Sequence, residues 1–276
     1  MKLLIDAAGG IAGDMISAAL LALGADEERV FEAMETVGGS LGQVNVALET
    51  LPDGVRRLRI HLENNDHHLA ASQARNILGE GFERLFVPDR YRECGMRALE
   101  ILIEAEAEAH SLIPGMDEQI HRHRHTHGIH HHHDESHHHH HDKTFLHEAQ
   151  DIVLDICGVM TALWSLDLAP QIELIGPVAV GGGTVSFSHG VLPVPAPAVR
   201  IILEKYTIPW NFGPIEQELC TPTGAALLAA MNARKTRGEP DLDEVETGRS
   251  RGTRPYDVPP LTVYRRRGFV PTFNGC

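Results

Sequence analysis

Thirteen of the 19 histidines fall within the 21 residues 121–141, HRHRHTHGIHHHHDESHHHHH. They are His121, His123, His125, His127, His130, His131, His132, His133, His137, His138, His139, His140 and His141. Imidazole is a borderline-soft donor suited to nickel, zinc, copper and cobalt, so the tract reads as a chelating arm. It has almost no apolar surface to offset the entropy of ordering, which predicts a disordered loop. A polar linker would look similar. An expression tag would too, but tags sit at termini and this tract lies mid-chain between two helix-like segments.

Less conspicuous residues carry more definite spacing. Residues 145–166 read as one helix, on which His147, Asp151 and Asp155 stand at i, i+4 and i+8 and share a face with Glu148 beside them. An imidazole and carboxylates on one face make a plausible N/O site for a divalent transition metal. The zinc-hydrolase pattern H-E-x-x-H fails here, because Asp151 holds its fifth position. Glu106 and His110 form a second i, i+4 pair, a spacing most often seen as a surface contact worth about 0.3 kcal/mol. Asp6 and Asp14 bracket the glycine-rich turn A-A-G-G-I-A-G and are candidates for a divalent cation, with helix capping as the alternative for Asp14. Strand, glycine turn and helix start together suggest an anion cradle. The spacing is not G-x-G-x-x-G and no Lys-Ser/Thr pair follows, so a dinucleotide or Walker-type loop is a weak reading. His189 stands between a glycine turn and a proline-stiffened segment, where a side chain can be held rigidly or simply satisfied by backbone. Neither Ser186 nor Ser188 lies in a G-x-S-x-G elbow. Arg249, Arg251, Arg254, Arg265, Arg266 and Arg267 suit nucleotide phosphates, although a solvated basic tail is the favoured account.

These residues need elements to hold them. Apolar patterning predicts a short strand over 2–5, helices over 14–23 and 26–37, and a hairpin of 44–51 with 55–62 around Pro52-Asp53-Gly54. Helices follow near 70–78 and over 89–110, and a buried strand is expected over 172–180. Residues 184–187 form a short segment, and 189–198 are extended before a helix to Leu203. Thr221 caps a helix that runs to Met231 with Pro222 in its first turn. The fold class is mixed α/β: small mixed sheets covered by helices. The organisation is an α/β part over 1–120, a His-rich metal-binding loop over 121–143 and a second α/β part over 144–276.

A net charge of −14 opposes nucleic acid and anionic membrane as partners, and 5% aromatic residues provide few stacking platforms. Cys94, Cys157, Cys220 and Cys276 include no C-x-x-C pair, as expected of a reducing cytoplasm. No signal segment is read ahead of the first strand, and the apolar run at 16–23 is too short to span a bilayer.

With these residues in view, the chain resembles the nickel-insertion proteins of lactate racemase cofactor maturation, the LarC family. Gly10, Ile11, Gly13, Asp14 and Met15 match the family's opening D-C-F-x-G-I-S-G-D-M. Asp66-His67-His68 is similar to its histidine-bearing turn, and Ala105-Glu106-Ala107 with His110 to its A-E-A-x-x-H pattern. His147-Glu148, Asp151 and Asp155 resemble H-E-V-G-A-x-D-S-I-V-D. The most specific strings are HGVLPVPAPA at 189–198 and ELCTPTGAA at 218–226. Three departures stand out. The gap from His147-Glu148 to Asp151 is two residues short, which on a continuous helix turns the aspartates by roughly 200°. The family's opening cysteine is Ala7 here. The sequence also ends where the first half of longer members ends, so a C-terminal region tied to CTP is expected to be absent or encoded separately.

The resemblance implies insertion of Ni(II) into pyridinium-3,5-bisthiocarboxylic acid mononucleotide, giving the nickel-pincer cofactor, with CTP hydrolysis using Mg or Mn on the absent or partner region. It implies a separate C-terminal chelatase subunit and a lactate racemase-type apoenzyme downstream. On this reading Asp6, Asp14, His147, Glu148 and His189 carry the chemistry. Gly10, Gly13, Thr221, Thr223, Arg251 and Arg254 hold the nucleotide. Glu106, His110, His147, Glu148, Asp151, Asp155 and the tract hold nickel. Two alternatives are a nickel storage or delivery protein without catalytic activity and, less favoured, a metal-dependent hydrolase.

Overall fold

Leu3 and Ile5 alternate with half-buried Leu4 and Asp6, and this two-residue period builds the innermost strand, β1 (Leu3–Asp6). The computed structural model of the chain describes residues 3–63, 68–112, 145–147, 151–187, 190–236 and 245–266. In it β1 pairs in parallel with β6 (Ile172–Leu174) and antiparallel with β13 (Leu261–Arg266). The hairpin β2 (Gln43–Thr50) and β3 (Arg56–Glu63), the strand β12 (Val245–Ser250) and the short β11 (Arg234–Lys235) complete a seven-stranded mixed sheet, ordered β11-β6-β1-β13-β12-β3-β2. This is one larger sheet than expected, and strands from both sides of the histidine tract interleave in it. The hairpin turn forms as its residues predict: Asp53 Oδ1 accepts the Val55 N–H at 3.2 Å and Gly54 takes φ +77.

Three expectations are corrected. The Arg-rich end is not a solvated tail: β12 and β13 lie inside the sheet, with Leu261 and Val263 fully buried and Arg265 paired to Glu246 across the two strands. The single helix over 145–166 is split. Residues Phe145–His147 form β5, which pairs with β4 (His68–Ala70) so that His68 stands opposite His147, and only Ile152–Ser165 form the helix α5. Leu69 opposite Leu146 buries both, and that tertiary gain outweighs local helix preference. The strand over 172–180 is also split, at Gly176-Pro177, into β6 and β7 (Val178–Ala179), the latter pairing with β10 (Trp210–Asn211).

The helices α1 (Gly13–Ala22) and α2 (Glu27–Gly38) lie against the sheet, and α5 packs on both. Asp26 caps α2 by accepting the Arg29 N–H. From Ile152 to Leu163 every residue of α5 is buried, as a helix apolar all round must be. Around it lie α3 (Ala71–Arg84), α4 (Asp89–Leu112), α6 (Pro197–Lys205) and α7 (Pro222–Ala230). A further hairpin joins β8 (Thr184–Phe187) to β9 (Gly190–Pro193). No described helix is long and apolar enough to cross a membrane. The thiols of Cys94, Cys157 and Cys220 are free and buried; burial pushes Cys94 up to about 11, Cys157 to about 12, and Cys220 strongly upward.

The sheet meets α1 closely at Gly248, where an added Cβ would lie 2.0 Å from the Ala19 carbonyl oxygen. Backbone cannot yield there as a flexible side chain would. Gly248→Ala is therefore expected to cost about 3 kcal/mol, seen as a lower denaturation midpoint with an unchanged slope.

Candidate functional site

The glycine turn between β1 and α1 is held shut by its own chain. Gly10 adopts φ +101, and a Cβ there would lie 2.2 Å from the Leu219 carbonyl oxygen. The Ile11 N–H donates to that carbonyl at 2.8 Å, and the Thr221 N–H donates back to Ile11 O at 3.1 Å. The start of α1 is already faced by carboxyls. Asp14 Oδ1 accepts the Met15 N–H at 2.8 Å, and the Asp155 carboxyl lies by the Asp14 N–H. A Cβ on Gly13 would sit 2.4 Å from Asp155 Oδ2, so only glycine leaves this carboxyl its place. Ala12 is the cap residue, so Asp14 is not the cap but a first-turn acid.

Beside the turn opens a cavity of about 410 Å³. Asp14 and Met15 reach it from α1, Asp151 and Asp155 from the start of α5, and Glu106 from α4. Glu218, Thr221 and Thr223 come from the segment entering α7, and Leu58 and Ile60 from β3. Arg251, Arg254 and Tyr256 come from the loop between β12 and β13. Asp151 and Asp155 are i, i+4 at the start of α5 and do share the cavity side. His147 lies off that helix, on β5, so the shared face with His147 does not form. Asp6 does not line the cavity; its Oδ1 accepts the Ala8 N–H at 3.0 Å, and the structure does not bring it to Asp14. Glu148, His189 and the histidines of residues 121–141 lie outside the described residues.

The acids of the cavity repel ionisation. Burial, with the Asp151 charge adding to it, pushes the Asp14 carboxyl up to about 7 against the opposing Met15 N–H. Burial raises Asp151 as well, and it raises Asp155 well above the carboxylate range with Asp151 and Asp14 contributing. Asp151 is exposed to water in the cavity, which screens its share. Asp155 is only 6% exposed, and its Oδ1 has no hydrogen-bond partner among the described residues. A buried carboxyl oxygen without a donor is costly unless something else meets it. Glu106 is pushed up to about 7 by burial, and its carboxylate lies 4.0 Å from His110 Nε2. With side chains 21% and 11% exposed, this pair is largely inside the protein and not the surface contact its spacing suggests.

Arginines also line the cavity. The Arg251 guanidinium donates to the Val258 carbonyl and reaches Asp53 Oδ2 at 3.4 Å, which fixes its position. Arg254 is exposed and lies 3.4 Å from the Tyr256 hydroxyl, which donates to Gln217 Oε1 at 3.2 Å. Thr221 caps α7 by accepting the Gly224 N–H at 3.2 Å, and Thr223 is buried beside it. Glu218, Met15 and Tyr256 were not singled out from sequence; Glu218 opens the E-L-C-T-P-T-G-A-A string and Met15 follows Asp14 in the opening motif, which is the signal they carried. Among the described residues no three His, Cys, Asp or Glu side chains converge as a finished metal shell.

A mixed sheet under helices, with a cavity lined by both carboxyls and arginines, defines an α/β protein with a cavity of mixed charge. A family model described as nickel insertion protein matches residues 3–125 and 123–264, and the chain belongs to that family. A protein of Methanothrix thermoacetophila named for nickel insertion is 35% identical over 261 residues, covering 94% of this chain and 57% of the relative. The pyridinium-3,5-bisthiocarboxylic acid mononucleotide nickel insertion protein of Staphylococcus saprophyticus is 30% identical over 231 residues, covering 83% and 50%. Its namesake in Desulfitobacterium hafniense is 30% identical over 263 residues, covering 93% and 56%. The chain thus spans about half the length of the curated relatives it matches. No solved structure matches it.

Proposed function

We propose that this chain carries the metal- and nucleotide-holding part of nickel insertion into pyridinium-3,5-bisthiocarboxylic acid mononucleotide. One observation supports this most: carboxyls that include Asp155, whose Oδ1 is unpartnered among the described residues, line the same cavity as Arg251 and Arg254. The carboxyls suit a divalent cation, and the arginines suit the phosphate of a mononucleotide. An unfinished donor set is appropriate to cargo, because an ion held by few protein donors keeps positions open for the sulfurs of its acceptor. The glycine turn is a poorer phosphate seat than its sequence suggests, since carboxyls already face the helix start. The CTP-dependent, lyase-type chelatase activity, with Mg or Mn, is assigned to the chain together with the region its relatives carry beyond the match. A lactate racemase-type enzyme is the proposed recipient of the product, and the cytoplasm the proposed location. His147, Glu148, His189 and the tract are proposed to feed nickel to the cavity, with residues 121–143 as a segment separate from the parts on either side.

The test is calorimetry of the mononucleotide and of Ni²⁺ on the full chain, followed by a nickel-transfer assay with CTP in the presence of the additional region. Arg251→Ala is expected to weaken mononucleotide binding about tenfold, and Asp14→Asn to leave it intact while slowing nickel transfer. Wild-type behaviour of both variants would sink the reading. The alternative, nickel storage or delivery without catalysis, is favoured by the 13 histidines within residues 121–141. Deleting residues 121–141 separates the two. Transfer that survives at saturating Ni²⁺ supports insertion at the cavity, and transfer that vanishes supports delivery by the tract.

A further inference from the structure

Every carboxylate of the cavity is a hard oxygen donor, and oxygen donors alone favour magnesium and calcium as readily as nickel. One lining atom is of a different kind. Met15 follows Asp14 on α1, is 8% exposed, and lines the cavity with Asp14 and Asp155. Its sulfur reaches across to the arginine-bearing loop: a Cβ on Gly252 would meet Met15 Sδ at 3.5 Å. Ser250 Oγ donates to the Met15 carbonyl at 2.6 Å, which ties the residue's backbone to the end of β12. The thioether therefore lies against the arginine-bearing loop, on a fixed backbone, in a residue that lines the same cavity as Asp14 and Asp155. A methionine serving only to fill space would be replaceable by leucine without chemical consequence.

We propose that Met15 supplies a soft thioether donor to nickel held in this cavity, and that this donor sets the preference for nickel over magnesium. The inference rests on the reading of the cavity as a nickel site. A neutral sulfur binds more weakly than a thiolate, so it adds selectivity while leaving the ion removable. Because the sulfur lies beside Gly252, next to Arg251, an ion held by it would be close to the loop that is proposed to take the mononucleotide phosphate.

The full chain carries seven methionines, so ¹³C-methyl labelling gives a small set of signals, with Met15 identified by its loss in Met15→Leu. Diamagnetic Cd²⁺ is the soft probe and Mg²⁺ the hard one. Cd²⁺ is expected to shift the Met15 methyl signal, and Mg²⁺ to leave it in place. In calorimetry, the cavity component of the Ni²⁺ isotherm is the part lost in Asp155→Asn. That component is expected to weaken about tenfold in Met15→Leu, with Mg²⁺ affinity unchanged. If Asp155→Asn removes no component, the cavity is not a nickel site and the underlying reading falls. If it removes one but the Met15 methyl ignores Cd²⁺, or Met15→Leu binds Ni²⁺ as tightly as wild type, the thioether inference alone is overturned.

Discussion

Gly13→Ala is expected to be among the most damaging single substitutions in the protein, and adding Asp155→Ala is expected to rescue it in part. In an exposed helix interior, glycine to alanine would stabilise by about 1 kcal/mol. Here a different effect wins. The new methyl would lie 2.4 Å from Asp155 Oδ2 and 2.6 Å from its Cβ and Cγ. Asp155 is buried on a helix that is itself buried on every side, so it has nowhere to retreat. A loss of roughly 3 kcal/mol or more follows from forcing either helix aside. Truncating the carboxyl in the double variant makes room for the methyl, so the two changes should be far from additive. Denaturation of the four proteins of this cycle checks it. Additive losses would mean that the two positions do not press on each other.

The second large effect concerns pH. Metal-free protein is expected to lose stability as pH rises from about 4 to about 7, and Asp14→Asn is expected to flatten that loss. Below about 4 the Asp14 carboxyl is protonated in folded and unfolded chains alike and contributes no difference. Above that, the unfolded chain gives up a proton which the folded chain keeps, so stability falls with each step in pH. The fall stops growing once pH passes about 7, where burial and the Asp151 charge no longer keep the folded carboxyl neutral. The difference between wild type and Asp14→Asn should therefore grow across this window in favour of the asparagine, by on the order of 2–4 kcal/mol. Glu106 adds a loss of the same sign over a similar window, which Asp14→Asn leaves in place. Denaturant midpoints in the presence of a chelator, compared at pH 4.5, 6 and 7.5, provide the measurement. A constant offset between the two proteins would show that the cavity does not hold the Asp14 proton.

Both effects turn on residues that the sequence flagged singly and the fold then assembled. Capping and turn chemistry made two elements legible in advance: Pro52-Asp53-Gly54 for the hairpin and Thr221-Pro222 for α7. Those signals are local, and local geometry decides them. The split after His147 was not legible, because Leu146 is buried only through its pairing with Leu69, far away in sequence. The arginines after Gly248 obscured the alternation of Leu261 and Val263, which marks an inner strand. At the site, Asp14, Asp151, Asp155 and Glu106 each drew attention through spacing or motif. Their common cavity could not be read, because it depends on how α1, α4 and α5 cross. Asp6 and Asp14 show the converse: neighbours across a turn in sequence, they point to different surroundings in the fold.

The buried thiols bear on how long a soft metal ion would stay in the proposed cavity. A thiolate holds a borderline-soft ion tightly. Cys220 belongs to the very segment that bridges Ile11 in the glycine turn, yet burial keeps its sulfur protonated and out of the cavity lining. Cys94 and Cys157 are likewise kept as neutral thiols within the helical layer. Thus no cysteine among the described residues lines the cavity. On the proposed reading, nickel is left to carboxyl oxygens and a neutral thioether, which hold a borderline-soft ion less tightly than a thiolate would.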